Sequence, residues 1–244
     1  MHAGRGAERV IRVKNAMHLV LFDVDGTLTL TNEIDNHCYF CALAEALGST
    51  DIDTDWAKYK DVTDSGIAAA LWEARHGAPP SSEQLEGMRD RFVALLEQAL
   101  ADDPAACREV PGAGAILAEL SERSGFAAGL ATGGWLESAR LKLRHAGLND
   151  SMFPLASASD ARSREAIMAL AAQRVAAYWG VPGFESIVYV GDAVWDLKAA
   201  TRLGWQFVGI GSGEHARRLC NEGAQCVLAD YRDQGLFFDA LAQR

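Results

Sequence analysis

The residues best suited to chemistry in this chain are acidic, and each group of them ends a short apolar run. Leu19 to Phe22 runs into Asp23-Val24-Asp25-Gly26-Thr27, Phe126 to Ala131 into Thr132-Gly133-Gly134, and Ser186 to Val190 into Gly191-Asp192, with Asp196 one helical turn further on. Side chains two residues apart on a strand point to the same side, so Asp23 and Asp25 belong together. A third carboxylate arriving on a neighbouring strand makes an oxygen-rich cluster that is costly without a partner. A hard divalent cation relieves that cost. Mg2+ takes carboxylate, carbonyl, water and phosphate oxygens in an octahedron and is the expected cofactor, with Mn2+ as a substitute.

A phosphoryl group held at such a cation becomes electrophilic enough for carboxylate attack. Asp23 is the expected nucleophile, giving an aspartyl-phosphate that water then hydrolyses. Asp25 is the expected acid for the leaving alkoxide and afterwards the base for the water. Thr132 Oγ and the Gly133 N–H, expected at a helix N-terminus, would hold phosphate oxygens.

These groups need elements to carry them. From Leu19 onward, short runs rich in Val, Ile and Phe end in Asp, Thr or Gly and lead into helical patterns, the signature of parallel strands covered by helices. Strands are expected at 19–25, 126–132, 186–192 and 205–211, and more weakly at 155–159 and 225–229. That pattern is doubly wound α/β, a class that binds ligands at the carboxyl ends of its strands. From residue 31 to about residue 107 the alternation stops and three amphipathic helices are expected. Asn32 would cap the first, with Phe40, Leu43 and Leu47 on one face, and Asp64 or Ser65 the second, carrying Ile67, Leu71 and Ala74. Ser81 and Gln84 form a capping box for the third, before Leu85, Met88, Phe92, Leu95 and Leu96. Pro111-Gly112 then opens a core helix with Ile116, Leu117 and Leu120 as its stripe. The expected organisation is an extension at 1–16, a core made of 17–30 and 108–244, and a helical insert at 31–107.

Composition narrows the partners. The chain has 244 residues, 49% of them hydrophobic, enough to bury roughly 70–75% of its unfolded surface. Lys and Arg number 23 against 33 Asp and Glu, a net charge of −10 that argues against nucleic acid. No run approaches the ~20 apolar residues of a membrane span, and residues 1–16 lack the apolar stretch of a secretory signal. The expected partner is a small phosphorylated metabolite, and no feature of the chain specifies an oligomeric state. Five cysteines, an odd number without paired metal-ligand spacing beyond the C-x-x-C of Cys38 and Cys41, suit reduced thiols in a cytoplasm. Cys38 and Cys41 fall within a helical pattern and read as helix packing, as Trp135 and Trp195 read as packing on the sheet. Gly209-Ile210-Gly211-Ser212-Gly213 lacks the acidic partner of a dinucleotide fingerprint and reads as a tight strand-to-helix loop. His76 and His145 show no ligand spacing.

Asp23-Val24-Asp25-Gly26-Thr27, Leu130-Ala131-Thr132-Gly133-Gly134 and Gly191-Asp192-Ala193-Val194-Trp195-Asp196 resemble the first, second and fourth motifs of the haloacid dehalogenase-like hydrolases, in the family's order. The resemblance covers Met17 to the C-terminus. It implies a Rossmann-like core with an all-helical cap inserted after the first motif, as in phosphoglycolate phosphatase-like members. It also implies that the Asp23 and Asp192 carboxylates and the Asp25 main-chain carbonyl bind the metal, with Asp196 holding a metal-bound water or fixing the site. The family's dehalogenases lack the second aspartate of the first motif, so Asp25 favours phosphoryl chemistry. The third motif departs from the usual pattern, for no lysine lies between Lys142 and Lys198. Arg162 and Arg164 are the nearest cations, and Arg164, at a helix start, is the expected stand-in. In position, Thr63-Asp64-Ser65-Gly66 resembles the segment that reaches the active site in cap-bearing relatives, although an N-cap explains its polar residues equally well. The expected activity is a Mg2+-dependent phosphatase for a small phosphomonoester such as phosphoglycolate or a sugar phosphate. The alternatives are a phosphomutase on the same core and a catalytically idle binding protein.

Overall fold

In the computed structural model, which describes residues 17–242, Leu19 and Leu21 face one side of a sheet while Val20 and Phe22 face the other. The expected 1–16 extension lies outside the described residues. These four apolar residues belong to β1 (His18–Phe22), whose two faces are both covered, which is why it reads as an unbroken apolar run. Around it lie β4 (Phe126–Ala131), β5 (Leu155–Ala156), β6 (Ser186–Gly191), β7 (Gln206–Ile210) and β8 (Val227–Leu228). The sheet has six parallel strands in the order β5-β4-β1-β6-β7-β8. The chain leaves β1 toward β4 and β5, then crosses back to place β6 on the other side of β1. The order therefore reverses at β1, where a doubly wound sheet opens its ligand crevice.

Helices cover both faces. Leu19 and Leu21 share a buried cluster with Ile167, Met168, Ala171 and Val175 of α6 (Arg164–Trp179). Val20 and Phe22 share another with Ile116, Leu117 and Leu120 of α4 (Ala113–Glu122) and Phe237 of α9 (Gln234–Ala242). The remaining core helices are α5 (Leu136–His145), α7 (Val194–Arg202) and α8 (Gly213–Asn221). The expected six strands and α/β architecture are present, with differences at the margins. The 155–159 strand stops at Ala156 because the Asp160 carboxylate accepts the Ser157 N–H at 3.0 Å and turns the chain. Similarly, the 225–229 strand is only the two-residue edge β8.

Between the first motif and α4 run three helices, α1 (Asn32–Leu47), α2 (Asp64–His76) and α3 (Ser82–Asp102). A short antiparallel pair, β2 (Thr29–Leu30) with β3 (Arg108–Glu109), joins the two ends of this segment. The pair was not expected, because two residues per strand are too few to show a period. Two expected caps are corrected. Asn32 is the first residue of α1 rather than its cap, and its side chain is spent on Asp192; Thr31 occupies the N-cap position. Neither Asp64 nor Ser65 caps α2, since Thr63 Oγ1 accepts the Gly66 N–H at 3.1 Å. The Ser81–Gln84 capping box opens α3 with both of its hydrogen bonds formed. On α1 the buried face carries Cys38, Tyr39, Ala42, Leu43 and Leu47, with Phe40 only half-buried. Cys38 and Cys41 are free thiols in that helix. No described helix is long and apolar enough to cross a membrane.

Candidate active site

Register places the motif residues. Phe22 pairs with Leu130 on one side and Val190 on the other, so the residues that follow in each strand emerge together at the carboxyl edge. Asp23 is buried there, its N–H donating to Val190 O at 2.9 Å. Asp25 follows in the turn, and Gly26 adopts φ +69. A Cβ at Gly26 would overlap the Asp192 carboxylate and lie 2.7 Å from Asn32 Nδ2, so glycine lets the loop pass beneath these groups. Asp192 follows β6, its Oδ2 accepting from Asn32 Nδ2 at 3.0 Å. Asp196, in the first turn of α7, accepts the Ala193 N–H at 3.1 Å and has no exposed surface.

Asp23, Asp192 and Asp196 each offer a carboxylate oxygen within 4.8 Å of the others. Asp23 Oδ1 is buried with no hydrogen-bond donor. Three convergent carboxylates and an orphaned oxygen fit a hard, oxygen-seeking cation, which would supply the missing partner. The electrostatics agree. Burial, then Asp196, pushes the Asp23 carboxyl up to about 7 against the pull of Arg164. Burial, then Asp23, pushes Asp192 up to about 7.

Arg164 lies at the first position of α6, with Ser163 as N-cap. Its Nη1 donates to Asp196 Oδ1 at 2.7 Å and to Asp23 Oδ2 at 3.4 Å, and its Nη2 to Val62 O at 3.2 Å. Burial pulls its pKa down, but Asp196 and Asp23 outweigh that and hold it above the ordinary range. Arg162 is exposed, and only its carbonyl takes part, accepting from Thr63 Oγ1 at 2.6 Å. Of the two candidate arginines, the structure brings Arg164 to the carboxylates and leaves Arg162 outside.

A cavity of about 200 Å³ opens over this cluster. Asp23, Asp25, Thr132, Gly133, Arg164, Asp192, Thr63 and Asp64 line it, while Ser65 is buried in α2 and does not, and Asp196 stands behind Asp192. Thr132 Oγ1 accepts the Gly134 N–H at 3.1 Å. The helix that follows begins only at Leu136, so Thr132 and Gly133 precede its N-terminus by a short loop. Asp64 ties α2 to the same loop: its N–H donates to Gly133 O at 2.8 Å and its Oδ2 accepts the Trp135 N–H at 2.8 Å. Burial, then Asp35, pushes the Asp64 carboxyl up to about 8.

Several residues at the site had not been expected. Asn32 and Asp35 stand one turn apart on α1 and both line the cavity, as do Trp56, Trp195 and His215, whose Nε2 lies 2.5 Å from Asp192 O. Lys142 of α5 reaches both Asp25 and Asp35 at 2.6 Å. The i, i+3 spacing of Asn32 and Asp35 directly after the first motif was a readable signal. So was a lysine placed three and four residues after Ala139 and Ser138 on an apolar stripe. Nothing in the spacing of His215 pointed to the site.

A family model described as haloacid dehalogenase-like hydrolase matches residues 17–204. A hydrolase from Pseudomonas syringae superposes with a TM-score of 0.65 at 23% identity, over 92% of this chain and 98% of its own. CbbY from Rhodobacter sphaeroides, in complex with phosphate, gives 0.64 at 23% identity, over 90% and 96%. A protein from Haemophilus somnus described as a predicted phosphoglycolate phosphatase gives 0.61 at 18% identity, over 91% and 98%. These likenesses establish the fold. No curated protein matches the chain.

Proposed function

Because the chain belongs to the haloacid dehalogenase-like hydrolase family, we propose that it is a Mg2+-dependent phosphatase acting on a small phosphomonoester through an aspartyl-phosphate at Asp23. The observation that carries this reading is the buried, donor-free Asp23 Oδ1 within a cluster of carboxylates at the floor of a cavity. Asp23, Asp192 and the Asp25 carbonyl would hold Mg2+, with Asp196 fixing Arg164 behind them. When bound, Mg2+ supplies positive charge that polarises the phosphoryl group and offsets its repulsion by Asp23.

In the first half-reaction an Asp23 oxygen forms a bond to phosphorus. The ester P–O bond breaks, its electron pair goes to the departing oxygen, and that oxygen takes the proton from Asp25. In the second, Asp25 accepts a proton from water as the water oxygen bonds to phosphorus. The aspartyl P–O bond breaks, its electrons return to the Asp23 carboxylate, and inorganic phosphate leaves. Arg164 holds Asp23 in direction and shares the charge that develops. Thr132 and the Gly133 N–H bind phosphate oxygens.

In-line displacement sends the leaving group away from Asp23, toward α1–α3, which we read as a cap over the core. That wall of the cavity is formed by Asn36, Tyr39, Trp56, Val62, Asp64 and Ile67, with no Lys, Arg or His among the described lining residues of the helical segment. On that wall a carboxylate on the leaving group would meet Asp35 and Asp64, with Arg218 and His215 lining the cavity only from the core side, whereas hydroxyls would find acceptors. This chemistry favours a sugar or polyol phosphate over phosphoglycolate. The test is phosphate release by the purified protein with Mg2+ from a panel of phosphomonoesters. Release from sugar or polyol phosphates ahead of phosphoglycolate is expected, release led by phosphoglycolate would reverse the substrate reading, and none from any ester would refute the activity.

A further inference from the structure

Lys142 has no exposed side-chain surface, and it lies on the face of α5 that also buries Ser138 and Ala139. Burying an ammonium is costly unless charged groups surround it. Here Nζ donates to Asp25 Oδ2 at 2.6 Å and to Asp35 Oδ1 at 2.6 Å. Burial pulls the lysine's pKa down, but Asp25, Asp35 and Asp64 outweigh it and hold the group above its ordinary range. Lys142 does not line the cavity, and the charge beside the nucleophile is supplied by Arg164.

The other Asp25 oxygen, Oδ1, accepts from Thr31 Oγ1 at 2.5 Å. Thr31 is the N-cap residue of α1, and Asp35 stands one turn into the same helix. Both oxygens of Asp25 are therefore held, one from α1 and one from α5, and the second bond of Lys142 closes the ring back to α1. A carboxylate held at one oxygen still swings about its side-chain bonds; held at both from separate elements, it keeps one direction. General acid–base catalysis depends on that direction, because the group must meet the departing oxygen within hydrogen-bond reach.

We propose that Lys142 is the positioning residue for Asp25, fixing the direction of its carboxylate and, through Asp35, tying that direction to the placement of α1. This rests on the reading of Asp25 as acid and base; Lys142 acts through that carboxyl and lies outside the cavity that would hold the substrate.

The experiment compares the wild type with Lys142→Met, Asp25→Asn and the double variant, each with Mg2+, on glycerol phosphate and on p-nitrophenyl phosphate. Lys142→Met is expected to lower kcat on glycerol phosphate by about 10²-fold while KM stays within about 3-fold. Nitrophenolate leaves without a proton. Stopped flow should then show a burst close to one equivalent of nitrophenolate, followed by slow turnover as hydrolysis of the aspartyl-phosphate waits on Asp25. The double variant should be no slower than Asp25→Asn within about 3-fold, because Lys142 acts through that carboxylate. A folded Lys142→Met protein with unchanged kcat, or losses that multiply in the double variant, would overturn the proposal.

If Lys142→Met does not fold, Asp35→Asn decides. It leaves the Lys142–Asp25 pair in place and removes the charged tie to α1, so kcat on glycerol phosphate should fall about 10-fold with the burst kept; an unchanged kcat overturns the proposal. A wild type that releases phosphate from neither ester overturns the functional reading and this inference with it, whereas the variant outcomes bear on the inference alone.

Discussion

Replacing Arg164 by Met removes the one cation that touches both Asp196 at 2.7 Å and Asp23 at 3.4 Å. The side chains of the three residues are 10%, 0% and 6% exposed, so bulk water screens their charges poorly. Removing one partner from a buried pair of this kind costs about 3–5 kcal/mol. For a chain of this size that is a fall in Tm of roughly 6–20 °C. The loss should depend on pH, and its sign follows from the carboxyls. With Arg164 present, Asp23 and Asp196 already sit at about 7 and about 6, and without it both move higher. A carboxyl raised in the folded state keeps its proton there while the unfolded chain has lost it, so stability falls as pH climbs from about 4 through the folded value. In metal-free buffer the variant should therefore lose most at pH 8 and little at pH 5. Urea unfolding of both proteins at the two pH values measures this. Equal losses at pH 5 and pH 8, or a loss under about 1 kcal/mol at pH 8, would refute the reasoning.

Two further outcomes follow from the same geometry. Because burial, then Asp23, holds the Asp192 carboxyl at about 7, deprotonation frees a metal ligand only near and above neutrality. Mg2+ should then raise Tm more at pH 8 than at pH 5.5, and a shift that is equal or larger at pH 5.5 would contradict the placement of Asp192 as a ligand. Gly26→Ala forces a Cβ into the Asp192 carboxylate at a backbone angle of +69 that alanine resists. It should lower Tm and abolish the Mg2+-dependent shift together, and calorimetry that finds Mg2+ binding unchanged would show that the loop has room.

Much of this was legible in the sequence because the fold's main signals are local. Leu19 to Phe22 is an apolar run because both faces of β1 are covered, and Ser81 with Gln84 announces a helix within four residues. The carboxylates were legible because parallel strands deliver their last residues to one edge, so Asp23 and Asp192 had to approach each other. The rest depended on register across distant segments. Thr63 rather than Asp64 caps α2, freeing Asp64 to accept the Trp135 N–H from the far side of the cavity. The sequence favoured Arg164 over Arg162 from its place at a helix start, and the first turn of α6 turns Arg164 inward. The spacing of Lys142 with Ala139 and Ser138 could turn it inward on its helix but could not say what it meets there. Its partners Asp35 and Asp25 come into view only when α1, α5 and the first motif are assembled, for they lie 107 and 117 residues away along the chain. The β2–β3 pair was too short to leave any period at all.

The most direct measurement is the capture of the phosphoryl group itself. The protein is mixed with Mg2+ and a 32P-labelled sugar phosphate, quenched in acid within milliseconds, digested and mapped by peptide. Label on the peptide carrying Asp23, absent from Asp23→Asn and chased into inorganic phosphate by unlabelled substrate, is the expected result. Phosphate release with no labelled protein at any time, or with label on another residue, would contradict attack by Asp23.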